Sequence, residues 1–152
     1  MKAILRQAAT LAALAGMASA ADITSAGDWV EMLNASNLTA GAGSDLPACM
    51  QSISGVTTLS ISNVAGPWRV TVRSGTGTWD SHVTLYVKRT SAGIGSGTIT
   101  GGDTYTAVSS TDTDFFSGSS NRSTISVQYK LMGLAHHLPP ATYLSTLSFT
   151  VQ

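Results

Sequence analysis

From Val56 to the C-terminus, apolar and polar positions alternate with a period of two. Successive side chains leave a strand on opposite sides, so this alternation predicts strands with one buried face. Val56–Ser62 places Leu59 and Ile61 on one face. Trp68–Arg73 places Trp68, Val70 and Val72 inward and Arg69, Thr71 and Arg73 outward. His82–Arg89 turns Val83, Leu85 and Val87 inward, and Ser123–Leu131 turns Ile125, Val127, Tyr129 and Leu131 inward. Tyr143–Val151 does the same with Tyr143, Leu147, Phe149 and Val151. Each run is rich in β-branched or aromatic residues, which suit a pleated surface. Weaker strands are expected near 97–100 and 104–108. Gly66-Pro67, Gly75-Thr-Gly77, Gly93 to Gly97, Gly101-Gly102, Ser117 to Asn121 and Pro139-Pro140 supply turn chemistry between the runs. No insert is long enough for a crossover helix, so the pattern predicts antiparallel pairing and a β-sandwich over residues 56–152.

Residues 21–55 read differently. The segment is rich in Ala and Gly, and Trp29 is its one aromatic residue. Ser25-Ala26-Gly27-Asp28 fits a helix-capping pattern, followed by Trp29, Val30 and Leu33 at helical spacing. The expectation is a short helix over 27–34, then a loop over Thr39–Pro47, in an appendage that packs on the sandwich, adds an edge strand or projects.

Met1–Ala20 reads as a Sec-type signal peptide. Lys2 and Arg6 form a basic start, Ala8–Met17 is apolar but too short to span a bilayer, and Ala18-Ser19-Ala20 is an A-x-A cleavage site. The expected location is therefore secreted, periplasmic or cell-surface, by bacterial-style export. No later stretch is long and apolar enough for a transmembrane segment. The full chain of 152 residues carries 8 basic and 8 acidic residues. Removing Lys2 and Arg6 leaves six against eight, a net charge of −2. So weak and scattered a charge argues against nucleic acid as a partner. Charged residues make up 11% of the chain against 21 Ser and 20 Thr, and in the alternating runs hydroxyls take outward positions that Lys and Glu commonly fill.

Candidate chemistry is sparse. His136-His137 is the one His pair, but neighbours in an extended segment point apart, and no Cys or carboxylate lies within five residues. Asp103, Asp112 and Asp114 supply carboxylates for calcium without matching the D-x-[DN]-x-[DN]-G loop. No G-x-S-x-G elbow occurs, and Gly93-Ile-Gly95-Ser-Gly97 lacks the Lys of a phosphate loop. Asn34, Asn37 and Asn121 begin N-x-[ST] triplets, which a chain so rich in Ser and Thr produces by chance. The reading is of a non-enzyme with no cofactor and no metal. Cys49 is an odd cysteine in an exported chain, either a free buried thiol or an intersubunit thiol. Trp79, Tyr86 and Tyr105 are the candidate exposed binding aromatics, while Trp68 falls on the inward register.

The segment Pro139-Pro-Ala-Thr-Tyr143-Leu-Ser-Thr-Leu-Ser-Phe-Thr-Val151 resembles the closing strand of secreted bacterial pilin-like and spore-coat-U-like domains, with Ala141 where Gly is usual. Gln128-Tyr-Lys-Leu-Met-Gly133 resembles the strand before it. The resemblance implies an antiparallel Ig-like, pilin-like β-sandwich. Two departures stand out: one Cys rules out the disulfide usual in chaperone–usher pilins, and Ala21–Ala40 does not alternate as a donor strand does. The functional expectation is an exported structural subunit of a pilus-, fibre- or coat-like assembly that self-associates or adheres to other surface proteins. The alternative is a carbohydrate- or surface-binding module with a glycan ligand.

Overall fold

A computed structural model describes the backbone of residues 2–9, and residues 21–75, 77, 80–134 and 141–152. Among these the chain is almost wholly β. The strands are β1 (Lys2–Ala9), β2 (Asp22–Ala26), β3 (Trp29–Met32), β4 (Cys49–Gln51), β5 (Thr57–Ser62), β6 (Trp68–Ser74), β7 (Thr84–Arg89), β8 (Ile99–Gly101), β9 (Thr106–Ala107), β10 (Thr113–Gly118), β11 (Arg122–Met132) and β12 (Thr142–Val151). A single 3-10 turn, Ala35–Asn37, is closed by Asn34 and Asn37 side chains in a reciprocal cap.

Two sheets result. One runs β3-β1-β12-β6-β10-β8; the other runs β2-β5-β11-β7-β9, with β4 also paired to β11. Their inward residues form one core. Leu59, Ile61, Val87, Ile125, Val127 and Tyr129 come from the second sheet, and Val70, Val72, Leu147 and Phe149 from the first. Each fully buried side chain of this kind contributes roughly 1.5–3 kcal/mol of apolar transfer. The period-two pattern thus places the core. Thr71 departs from it: although outward, it is buried, with an unpartnered hydroxyl. Ion pairs Arg69–Asp114 (3.4 Å) and Arg73–Asp112 (3.7 Å) flank it on the same face. Tyr143 and Val151 are only half-buried, and Val83 precedes its strand.

The helix expected over 27–34 is not there. Trp29, Glu31 and Leu33 share the inner side of an extended segment, and Trp29 and Leu33 are buried. The Trp29 ring stacks on Tyr129 of the facing sheet, with centroids 6.3 Å apart. That cross-sheet contact outweighs the weak helical spacing. Gly27 makes it possible by carrying the chain from one sheet to the other at φ +95°, where a Cβ would strike the Val56 carbonyl. Thr57 Oγ1 donates to the Gly27 carbonyl and accepts from Tyr129 Oη, both at 3.0 Å. Residues 21–55 therefore supply β2 to one sheet, β3 to the other and β4 to β11.

A second difference concerns residues 113–118, for which alternation predicts no strand and where Ser117 opens a turn signal. Thr113–Gly118 is β10, paired with β6 and β8. A register shift between Asp114 and Phe116 lets adjacent Phe115 and Phe116 both enter the core, which hides the strand from a period-two reading. The third difference is β1, which runs parallel to β12. These segments lie at opposite ends of the sequence, so no short hairpin dictates their direction.

Candidate functional site

The outer face of the second sheet gathers the most chemistry. On β7, Leu85 and Val87 point inward, which leaves Tyr86 and Lys88 outward. On β11, Tyr129 and Leu131 are buried, which leaves Gln128 and Lys130 outward. Register aligns them: Tyr86 lies opposite Lys130, Lys88 opposite Gln128, and Gln51 of β4 flanks Lys130 on its other side. Ala107 faces Tyr86 from β9 and adds little bulk beside the ring.

Tyr105, just before β9, lies across this face. Lys130 Nζ sits 4.3 Å and Lys88 Nζ 4.7 Å from its ring centroid, and Lys130 Nζ also sits 4.9 Å from that of Tyr86. These are cation–π distances. The Tyr105 hydroxyl donates to Gln51 Oε1 at 3.0 Å. Burial raises the Tyr105 phenol above its usual 10, and a charge on nearby Cys49 adds to the shift.

Lys88 and Lys130 are the only lysines beyond residue 20. The four arginines there are committed elsewhere. Arg69 and Arg73 pair with Asp114 and Asp112. Arg89 donates to the carbonyls of Gly101 and Ser91, and Arg122 to those of Ala92 and Gly97. Neither lysine has a carboxylate within ion-pair distance among the described residues. The face therefore carries two ammonium groups that no carboxylate among the described residues neutralises.

The structure thus brings together two of the three candidate aromatics, Tyr86 and Tyr105, both half-exposed. Trp79 lies outside the described residues, as do His136 and His137. Sequence reasoning missed Lys88, Lys130, Gln51 and Gln128. The lysines had a signal: both occupy outward positions of alternating runs. Gln51 had none, because β4 was not legible. Cys49 is an exposed free thiol opposite Met132, so the buried-thiol reading fails; in its three-residue strand off the main sheet path only the central Met50 packs against the core, which leaves Cys49 and Gln51 outward. Of the candidate calcium carboxylates, Asp112 and Asp114 face arginines, and no group of three or more metal-ligating acids, His or Cys occurs among the described residues. Asp80 holds His82 at 2.9 Å.

A second feature is the place of β1. Its Lys2–Ala9 backbone pairs with Thr142–Phe149 of β12 on one side, and Lys2–Leu5 pairs with Trp29–Met32 of β3 on the other. It is an interior strand of its sheet. No helix of the described residues is long and apolar enough to cross a membrane. Searches of family models, curated proteins and solved structures find no match to this chain.

Proposed function

We propose that the chain is an exported structural subunit of a surface or extracellular assembly, an Ig-like, pilin-like sandwich that self-associates by β-strand addition. The observation that carries this reading is the position of β1 between β3 and β12. Residues 2–9 belong to the segment that reads as an export signal. Cleavage after Ala20 removes that strand from the interior of a sheet. The facing backbone edges of β12 and β3 then lose their partner, and an unpaired edge is a template for another chain's strand. A second copy is the natural donor, because a sheet with little charge on its surface is weakly guarded against edge pairing.

The test compares residues 21–152 with the full chain by light scattering over a concentration series, and by electron microscopy. The shortened chain is expected to associate, and a synthetic peptide of residues 2–9 added in trans is expected to hold it monomeric. A shortened chain that stays monomeric at high concentration, without filaments, overturns the proposal.

A further inference from the structure

We propose that the outer face built by Gln51, Tyr86, Lys88, Tyr105, Gln128 and Lys130 is a binding site for an acidic polysaccharide. This site is on the sheet that does not contain β1, so it stands apart from the assembly reading.

The first argument is charge. Beyond residue 20 the chain has net charge −2, yet both of its lysines converge on one ring. Their ammonium groups are separated by at most the sum of their distances to that ring. Two like charges within that reach repel each other weakly at a half-exposed face, and an anion between them turns the repulsion into attraction. The aromatic faces offset part of this cost but supply no counter-charge. A carboxylate supplies it, with charge-assisted hydrogen bonds to both groups.

The second argument is the company the lysines keep. Tyr86 and Tyr105 are half-exposed, and the ring surface that the lysines leave uncovered suits the apolar face of a sugar. Gln51 and Gln128 stand beside the lysines in register; with Gln51 Oε1 accepting from Tyr105 and Gln128 Nε2 donating to the Ser52 carbonyl (2.7 Å), Gln51 Nε2 and Gln128 Oε1 are left for the sugar hydroxyls. The residues span three adjacent strands, so the surface is broad enough for consecutive units of an extended chain. Nucleic acid fits less well. It demands a stripe of cations to neutralise successive phosphates, and this face has two.

The experiment measures binding of the full chain, and of residues 21–152, by affinity electrophoresis and calorimetry. The probes are polygalacturonate, neutral dextran, oligothymidylate and polyglutamate. Retention by polygalacturonate is expected, weakening as salt rises, with none by dextran and much weaker retention by the other two polyanions. Lys130→Gln and Lys88→Gln are each expected to weaken polygalacturonate binding about tenfold, whereas Lys130→Arg keeps it. Arg73→Gln, on the other sheet, is expected to bind as the parent does. Thermal melts identify any variant that fails to fold, and Lys88→Gln and Lys130→Gln test the site separately. Absence of polygalacturonate binding overturns the proposal. So does parent-like binding by both lysine variants, or equal binding of oligothymidylate or polyglutamate.

Discussion

Tyr129 concentrates several of the forces at work in single side chains. It is fully buried, its ring stacks on Trp29 across the core, and its hydroxyl donates to Thr57. Burial drives its ionisation far above the ordinary tyrosine range, against the smaller downward pull of the Thr57 hydrogen bond, and Asp28 adds to the rise. In the folded state the phenol thus keeps its proton at a pH where the unfolded chain has lost it. Stability is complete below the unfolded tyrosine value near 10 and declines above it, because the native state then binds more protons than the unfolded one. The expected slope from this residue is about 1.4 kcal/mol per pH unit above pH 10. Tyr129→Phe is expected to cost about 1 kcal/mol at pH 7 through the lost hydrogen bond, and to flatten the alkaline slope. Urea titrations between pH 7 and 11 measure both; an unchanged slope in the variant contradicts the argument. The inward place of Tyr129 was legible from alternation alone, as was that of Leu59, Ile61, Val70 and Val72. Its Trp29 partner was legible as apolar but not as a strand residue. Contact between residues a hundred positions apart leaves no local signal.

Local periodicity reveals a strand when its two faces differ, and it fails where a bulge or a short length breaks the alternation. β5, β6, β7, β11 and β12 were legible for the first reason, while β10, with adjacent buried Phe115 and Phe116, and the three-residue β4 were not. The loop Gly93–Gly97 shows how far a turn signal reaches. Glycine spacing marks a break in the strands, but its packing depends on the distant β10–β11 turn. At Gly95, φ is +153°, and a Cβ would meet the Asn121 carbonyl and the Arg122 side chain. Ile94 bridges to Ser123, and buried Arg122 reaches past the loop backbone to the carbonyls of Ala92 (2.9 Å) and Gly97 (2.5 Å). Arg122 therefore clamps this connection to the start of β11. Arg122→Met preserves much of the stem's packing and removes both bonds. It is expected to lower the unfolding free energy by about 3 kcal/mol, since bonds from a charged donor are worth about 1.5–3 kcal/mol each. A urea midpoint equal to that of the parent would refute the clamp. The lysine face depends on the same kind of long-range register. Tyr86 and Lys88 are neighbours in sequence, but Lys130 and Gln51 reach them only through the pairing of β11 with β7 and β4.

In the molecule as a whole, both sheets share one core, and the two ends of the chain meet in one of them. β12 is held unevenly. Leu147–Val151 pairs in register with β6 and Thr142–Phe149 with β1, while the Thr146 carbonyl also accepts from the Gly75 N–H just past β6. Loss of β1 therefore affects the two halves of β12 differently. The second half keeps its β6 partner and its buried Leu147 and Phe149. The first half loses the β1 side of its pairing and is expected to open more easily than the second, because local opening free energy follows backbone pairing and burial. The resulting prediction is specific to position and to concentration. In dilute chain 21–152, backbone amides of Thr142–Thr146 that point toward β1 are expected to exchange with deuterium about tenfold faster than in the full chain. Amides of Leu147–Val151 that point toward β6 are expected to exchange at equal rates in the two forms. Raising the concentration of the shortened chain is expected to restore protection to Thr142–Thr146, because a strand donated by a second copy replaces the pairing that β1 gave. Residue-resolved exchange at two concentrations reads all three outcomes. Equal protection of Thr142–Thr146 in both forms would mean that β12 does not depend on β1. Fast exchange that persists at high concentration would mean that the vacated edge recruits no strand, and the assembly reading would fall while the lysine face on the other sheet kept its own test.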